Sequence, residues 1–211
     1  RYSPSEIVTA LDRLNERGAT SFDVRRLTEA VHGEPLRFAG GTNVDDWCTA
    51  RDVLIVANGP EAHAKKSEIE MFIRQHQPFV IGLNAHLPID MSLVDAVAVC
   101  HPERAMLDAT ALAALTCEVI APQQLLTSLG ITVQRHRDVG MFVTNAGFSS
   151  DSSGVGIPDP LVLGYALAVA TEGKAKRVLV VGADGYDSTD TRQHTVNNTL
   201  TQYKTNVSAL P

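Results

Sequence analysis

The hydrophobic pattern changes character near residue 50. Before it, apolar residues recur at helical spacing. Ile7, Val8, Leu11 and Leu14 follow Ser3-Pro4-Ser5-Glu6, a Ser cap with an early Pro, and Gly18 stops the run. Val24, Leu27 and Val31 predict a second helix over 23–31. "HGEPLRFAGGT" then breaks the rhythm with Gly33, Pro35, Gly40 and Gly41. Residues 1–45 are therefore expected to form a helical arm or linker, and residues 46–211 the main domain.

From Asp52 onward, short continuous apolar runs alternate with helical stretches. Val53–Ala57 reads as a strand buried on both faces of a parallel sheet, and "PFVIGL" (78–83), "VDAVAV" (94–99), Glu118–Ala121 and "RVLVVG" (177–182) read as further strands. Ser67–His76, Glu103–Leu115, Gln123–Leu129 and Leu161–Thr171 read as helices, and 190–207 as a terminal one. Ile131–Val133 and Met141–Val143 are further strand candidates. This alternation predicts an α/β fold: a doubly wound, mostly parallel, Rossmann-like sheet behind a helical N-terminal arm. In such sheets ligands bind beyond the carboxyl ends of the strands, where the strand order reverses.

The predicted strand ends are where unusual polar residues fall. They are Asn58-Gly59-Pro60, Asn84 with His86, Cys100-His101-Pro102-Glu103, the Ser/Gly segment 149–154 with Asn145 ahead of it, and Gly182-Ala183-Asp184. Each has a structural and a functional reading. Asn58-Gly59 is a good turn dipeptide, and Pro60 suits a first helical turn, whose free N–H groups would face a ligand. Glu61 would repel a phosphate pressed on that turn, leaving base or hydroxyl contacts. Asn84 either braces a loop or meets a base or ribose. Ser153 and Gly154 lie either in a plain loop or in a cradle at a helix entrance. Asp184 either caps a loop or binds a hydroxyl or metal. His101 and His194 are the candidate general bases, with a surface role the default for His194. No metal site is expected, because the histidines show no ligand spacing, and no G-x-S-x-G is present. Arg135-His136-Arg137 reads as a solvated face.

Composition narrows the partners. The formal charge of −6, without a long Lys/Arg cluster, disfavours nucleic acid and leaves a small-molecule ligand as the expected partner. No run approaches the ~20 apolar residues of a membrane helix, so no membrane partner is expected. The three cysteines, Cys48, Cys100 and Cys117, form no C-x-x-C. Cys100 and Cys117 read as buried thiols, which suits a reducing cytoplasm. The chain opens at Arg1 on a helix start, so it is expected to be a piece of a longer protein. A homo-oligomer is left open.

"VLIVANGP", "VIGLN" and "SSGVG…GYALAVATEGKAKRVLVVGADGY" together resemble the bacterial sialyltransferase-like group and related pterin-diphosphokinase-like domains. The resemblance spans roughly 52–187 through scattered short motifs. It implies a nucleotide or nucleotide sugar held by Asn58, Gly59, Pro60, Asn84, Ser153 and Gly154, with Asp184 nearby. Glu61 stands where those families carry Ser, and their lid with its catalytic histidine has no counterpart. The chain also resembles the C-terminal extension of bacterial aldolase-like proteins related to hydroxymethylglutaryl-CoA lyase and 4-hydroxy-2-oxovalerate aldolase. There a metal-dependent barrel precedes the domain, and lyase activity would reside in that barrel. Three functions follow as expectations: a ligand-binding domain of an aldolase-like enzyme, a self-sufficient glycosyl- or diphospho-transferase, or a non-catalytic assembly domain.

Overall fold

The computed structural model describes residues 37–42, 47–144, 147–184 and 191–207, with the side chains of the last segment described over 196–205. The helices expected before residue 36 lie outside the described residues.

Central strands of a parallel sheet must be apolar on both sides, and the continuous runs supply this. β2 (Asp52–Val56), β3 (Phe79–Leu83), β4 (Ala96–Ala98), β5 (Glu118–Ala121) and β9 (Arg177–Val181) are parallel neighbours in the order 9-2-3-4-5. β6 (His136–Val143) and β8 (Gly154–Ile157) continue the parallel array beyond β5. β7 (Ser149–Asp151) and β1 (Arg37–Thr42) join it antiparallel, β7 on β8 and β1 on β6. The fold is thus α/β with a mostly parallel, mixed sheet. The chain steps outward from β2 to β8 and then returns to lay β9 on the other side of β2.

Side chains alternate between the two faces with period two. Leu54, Val56, Val80, Val97, Val99, Val119 and Ala121 point to one core. Five short helices cover that face: α1 (Pro60–Ala64), α2 (Lys66–His76), α3 (Pro102–Leu107), α4 (Ala109–Ala114) and α5 (Gln123–Leu129). Val53, Ile55, Ile81, Leu83, Ala96, Ala98 and Ile120 point the other way, onto α6 (Val162–Glu172). Behind α6 lies α7 (Thr191–Val207), whose Thr199 is fully buried. Tyr165 of α6 is buried and donates its hydroxyl to the Val139 carbonyl at 2.6 Å.

Four details depart from the sequence reading. Residues 37–42, assigned above to a helical arm, form β1 and belong to the sheet. Gly40 and Gly41 disguise this strand, which carries a register shift between Phe38 and Thr42. The helix expected over 103–115 is broken at Asp108 into α3 and α4. Ile131–Val133 is not a strand, while Met141–Val143 is the end of the longer β6. The Ser/Gly segment expected to be a loop folds as the β7–β8 hairpin. Gly140 and Gly154 cross there so closely that a side chain on Gly140 would collide with the Ser153 carbonyl.

The cysteines Cys48, Cys100 and Cys117 are all free and buried. Burial pushes the Cys100 thiol up from 9.0 to about 12. Burial, with smaller contributions from Cys100 and Asp138, raises the Tyr165 phenol well above 10.0. Both groups lose protons more readily when unfolded. Their contribution to stability is therefore complete below the unfolded values and falls as pH rises past about 9. Urea midpoints between pH 7.5 and 10.5 should decline. In Cys100→Ala the slope should be shallower by up to about 1.4 kcal/mol per pH unit, and an unchanged slope would contradict Cys100 as a source of it.

Candidate functional site

Because β9, β2, β3 and β4 are parallel, their carboxyl ends share one rim. Val56 pairs with both Gly82 and Val181, so Asn58 stands level with Asn84 and beside the loop that carries Asp184. Adjacent strand ends are about 4.8 Å apart. The reversal of strand order falls here, between β2 and β9.

The loops after β2 and β9 are laced together. Ala57 N–H donates to the Val181 carbonyl and Gly59 N–H to the Gly182 carbonyl, both at 2.9 Å. Pro60 opens α1 without an N–H to satisfy. Glu61 N–H donates to Asp184 Oδ2 at 2.9 Å, and the Ala62 and His63 N–H groups donate to the Gly59 carbonyl. The donors expected to face a ligand are thus consumed inside the protein. Asp184 already sits where an anion would sit at this helix start. Gly182 has φ +74, and a Cβ there would press on Ala62 Cβ at 2.7 Å, so the loop approaches this closely only as glycine. Asn58 is exposed, and its Oδ1 lies 2.7 Å from His63 Nε2.

Asn84 is the unusual residue of this rim. Its backbone is left-handed, with φ +64, a conformation that asparagine tolerates better than other side-chain-bearing residues. Its N–H is anchored on the Ala98 carbonyl at 3.0 Å. Its Oδ1 is buried and, among the described residues, has no hydrogen-bond partner, and the same holds for Asp184 Oδ1. Buried polar atoms ordinarily find partners, so these two oxygens, on the loops that flank the end of β2, each call for a hydrogen-bond donor. A hydroxyl, an amine or a ring N–H fits this demand. A phosphate, which only accepts, does not.

The next strand ends carry the titratable groups. His101 follows β4, and its Nδ1 lies 2.6 Å from Glu103 Oε2, close but not aligned as a hydrogen bond. His86, in the loop after Asn84, has Nε2 3.4 Å from Asp108 Oδ1, and Arg104 Nε lies 3.3 Å from Asp108 Oδ2. Asp108 is 2% exposed, a buried carboxylate held between the Arg104 guanidinium and the His86 ring where α3 breaks into α4. Sequence reasoning missed Asp108. The available signal was a charged residue three and four positions from Ala105 and Leu112, on the inward face of the expected helix.

The structure brings Asn58, Gly59, Pro60, Asn84 and Asp184 together, with His101 one strand further along. It does not bring Ser153 and Gly154 to them. β4, β5 and β6 stand between β3 and β8, about 19 Å at parallel-strand spacing. The Ser153 hydroxyl instead accepts from Arg37 and donates to Asp151 within the small hairpin sheet. Asn145 and the side chain of His194 lie outside the described residues. Among the described residues no three His, Cys, Asp or Glu side chains cluster as metal ligands, and no helix is long and apolar enough to cross a membrane.

No family model, curated protein or solved structure matches this chain.

The left-handed backbone separates the role of Asn84 in folding from its role in the site. Asn84→Ala should destabilise by about 1 kcal/mol, because alanine lacks asparagine's tolerance of positive φ. Asn84→Gly should stay within about 0.5 kcal/mol of the parent, since glycine takes this conformation freely. Urea denaturation of both variants checks this, and equal losses in the two would contradict it.

Proposed function

We propose that this chain binds a nucleotide or nucleotide sugar at the rim formed by the ends of β9, β2 and β3, recognising its base or sugar. The observation that carries this reading is Asn84: a left-handed residue at a strand end whose buried amide oxygen lacks a partner. Backbone conformations of this kind persist where the surroundings fix them, and they concentrate at ligand sites. The second orphaned acceptor, Asp184 Oδ1, belongs to the loop across the strand-order reversal. In a doubly wound, Rossmann-like arrangement, the finer fold reading adopted here, that reversal is where ligands enter. The resemblance to sialyltransferase-like and pterin-diphosphokinase-like domains supplies the ligand class. The resemblance to aldolase-like proteins would make this the ligand-binding part of such an enzyme.

Since both orphaned atoms are acceptors and Glu61 guards the turn, recognition rests on base and sugar donors rather than on phosphate. A calorimetric panel of nucleosides, their phosphates and nucleotide sugars should yield a binder whose parent nucleoside retains most of the affinity. Asn84→Gly, which spares the fold, should weaken that binder by about tenfold, the scale of a buried hydrogen bond. A panel without a binder, or an Asn84→Gly protein with unchanged affinity, rejects the assignment.

One observation favours transfer chemistry at the same rim: His101, whose Nδ1 lies 2.6 Å from Glu103 Oε2, follows β4, the strand beside the one that Asn84 follows. Were it the base that deprotonates an acceptor hydroxyl, His101→Ala would lower turnover of a nucleotide-sugar donor by about 10²–10⁴. Turnover undiminished in that variant excludes the role.

A further inference from the structure

β9 ends the sheet on one side. Among the described residues it pairs with β2 alone. Natural proteins blunt such an edge with a mid-strand charge, a proline or a bulge. β9 has none of these: it reads RVLVV, its register with β2 is unbroken, and its one charge sits at the first residue. The edge is also poorly covered. Val53, Ile55 and Val56 of β2 are fully buried, whereas Val178, Leu179, Val180 and Val181 are only half-buried.

The ladder fixes which backbone groups face outward. The Val181 carbonyl accepts from Ala57 N–H at 2.9 Å, with Val181 in register with Val56. Along a strand, the N–H and C=O of successive residues turn to alternate sides. Leu179 therefore also bonds toward β2, and the N–H and C=O groups of Val178 and Val180 point away from the sheet. Among the described residues no hydrogen bond engages these outward groups. Beside them, Leu179 and Val181 join Leu54, Ile69 and Phe72 in lining an apolar groove of about 240 Å³ between β9 and α2. An open edge of this kind accepts a further strand through main-chain hydrogen bonds.

The strand that fits this edge is β9 itself. Antiparallel pairing about a two-fold axis, with Leu179 opposite its own copy, sets Val178 against Val180 of the second copy. Those are the residues whose backbone groups are on offer, so each such pair exchanges two N–H···O bonds. Arg177 then stands opposite Val181, and no charge faces a like charge. The ends match as well. Lys176 and Arg177 enter β9, and Asp52 pairs with Arg177 at 2.6 Å, which leaves one positive charge. Asp184 follows β9 and accepts from the N–H of Glu61, whose carboxylate Lys65 pairs at 2.8 Å, which leaves one negative charge. Antiparallel apposition brings each end against the opposite sign.

We propose that β9 is a dimer interface, at which a second copy of this chain pairs through its own β9 and continues the sheet across a two-fold axis. The assembly closes at two copies, because the same patch is used on both and the far end of the sheet is β7, whose residues Ser149–Asp151 are polar and exposed.

Sedimentation equilibrium should give the mass of two chains. Hydrogen exchange needs no variant: the Val178 and Val180 amides should become protected as protein concentration rises, while the Leu179 amide, held by β2, should be protected throughout. Val180→Pro removes an outward N–H that β2 does not use, and Leu179→Lys sets like charges across the axis. Each should weaken dimerisation at least about tenfold, with the circular dichroism of the parent retained. Should the proline variant fail to fold, Leu179→Lys and the exchange pattern decide. A monomer at every concentration, growth beyond two copies, or a dimer as tight in Leu179→Lys as in the parent overturns the proposal. Protection of Val178 and Val180 that appears only when a peptide of residues 176–182 is added overturns it too, and marks a site for a separate extended strand instead.

Discussion

The fold depends on one helix being apolar on nearly every side. Residues Leu163 to Ala170 of α6 are all buried, because the helix lies between the sheet and α7 rather than on the surface. An amphipathic helix would leave one flank in water. A helix hydrophobic all round has to be enclosed. α6 makes the long return from β8 at one end of the sheet to β9 at the other, and so covers most of one face alone. Its polar atoms are used to tie that layer down. The Tyr165 hydroxyl reaches β6, Thr171 shares a hydrogen bond of 2.7 Å with Tyr203 of α7, and the Cys48 thiol meets the Ala170 carbonyl at 3.7 Å.

That return path creates the rim. By bringing the chain back beside β2, it sets the loop after β9 against the loop after β2. The two then satisfy one another's backbone so fully that a ligand there must be met by side chains. What remains on offer is a pair of acceptor oxygens, on Asn84 and Asp184. The rim therefore differs in kind from a phosphate cradle, where backbone N–H groups are left open toward the ligand.

Legibility from sequence followed physical distinctiveness. β2, β3 and β5 were readable because a strand buried on both faces has no polar alternation to confuse it with a surface helix, and β9, though a half-buried edge strand, carries the same continuous apolar run. β1, β7 and β8 were not, because "RFAGGT", "SSD" and "GVGI" are rich in glycine and serine, which carry little strand preference. The same glycines made Ser153 and Gly154 look like a ligand cradle, although they serve a close crossing of β6 and β8. Asn58, Asn84 and Asp184 were legible as strand ends. That Asp184 would consume the Glu61 N–H depended on register between strands over a hundred residues apart in sequence, which no local pattern encodes.

β6 is shared by two sheets. Its first three residues pair with β5, and its last three pair with β8 while β1 takes over the side that β5 has left. Asp138 stands at that handover, accepting from Gln123 N–H at 2.7 Å and from Gly41 N–H at 2.8 Å. Side chains of a strand alternate faces, so a slip of one residue would turn both pairings inside out at once. In evolutionary terms, this stretch can exchange residues at its partly exposed positions but cannot gain or lose one. Length, more than composition, is what descent must preserve here.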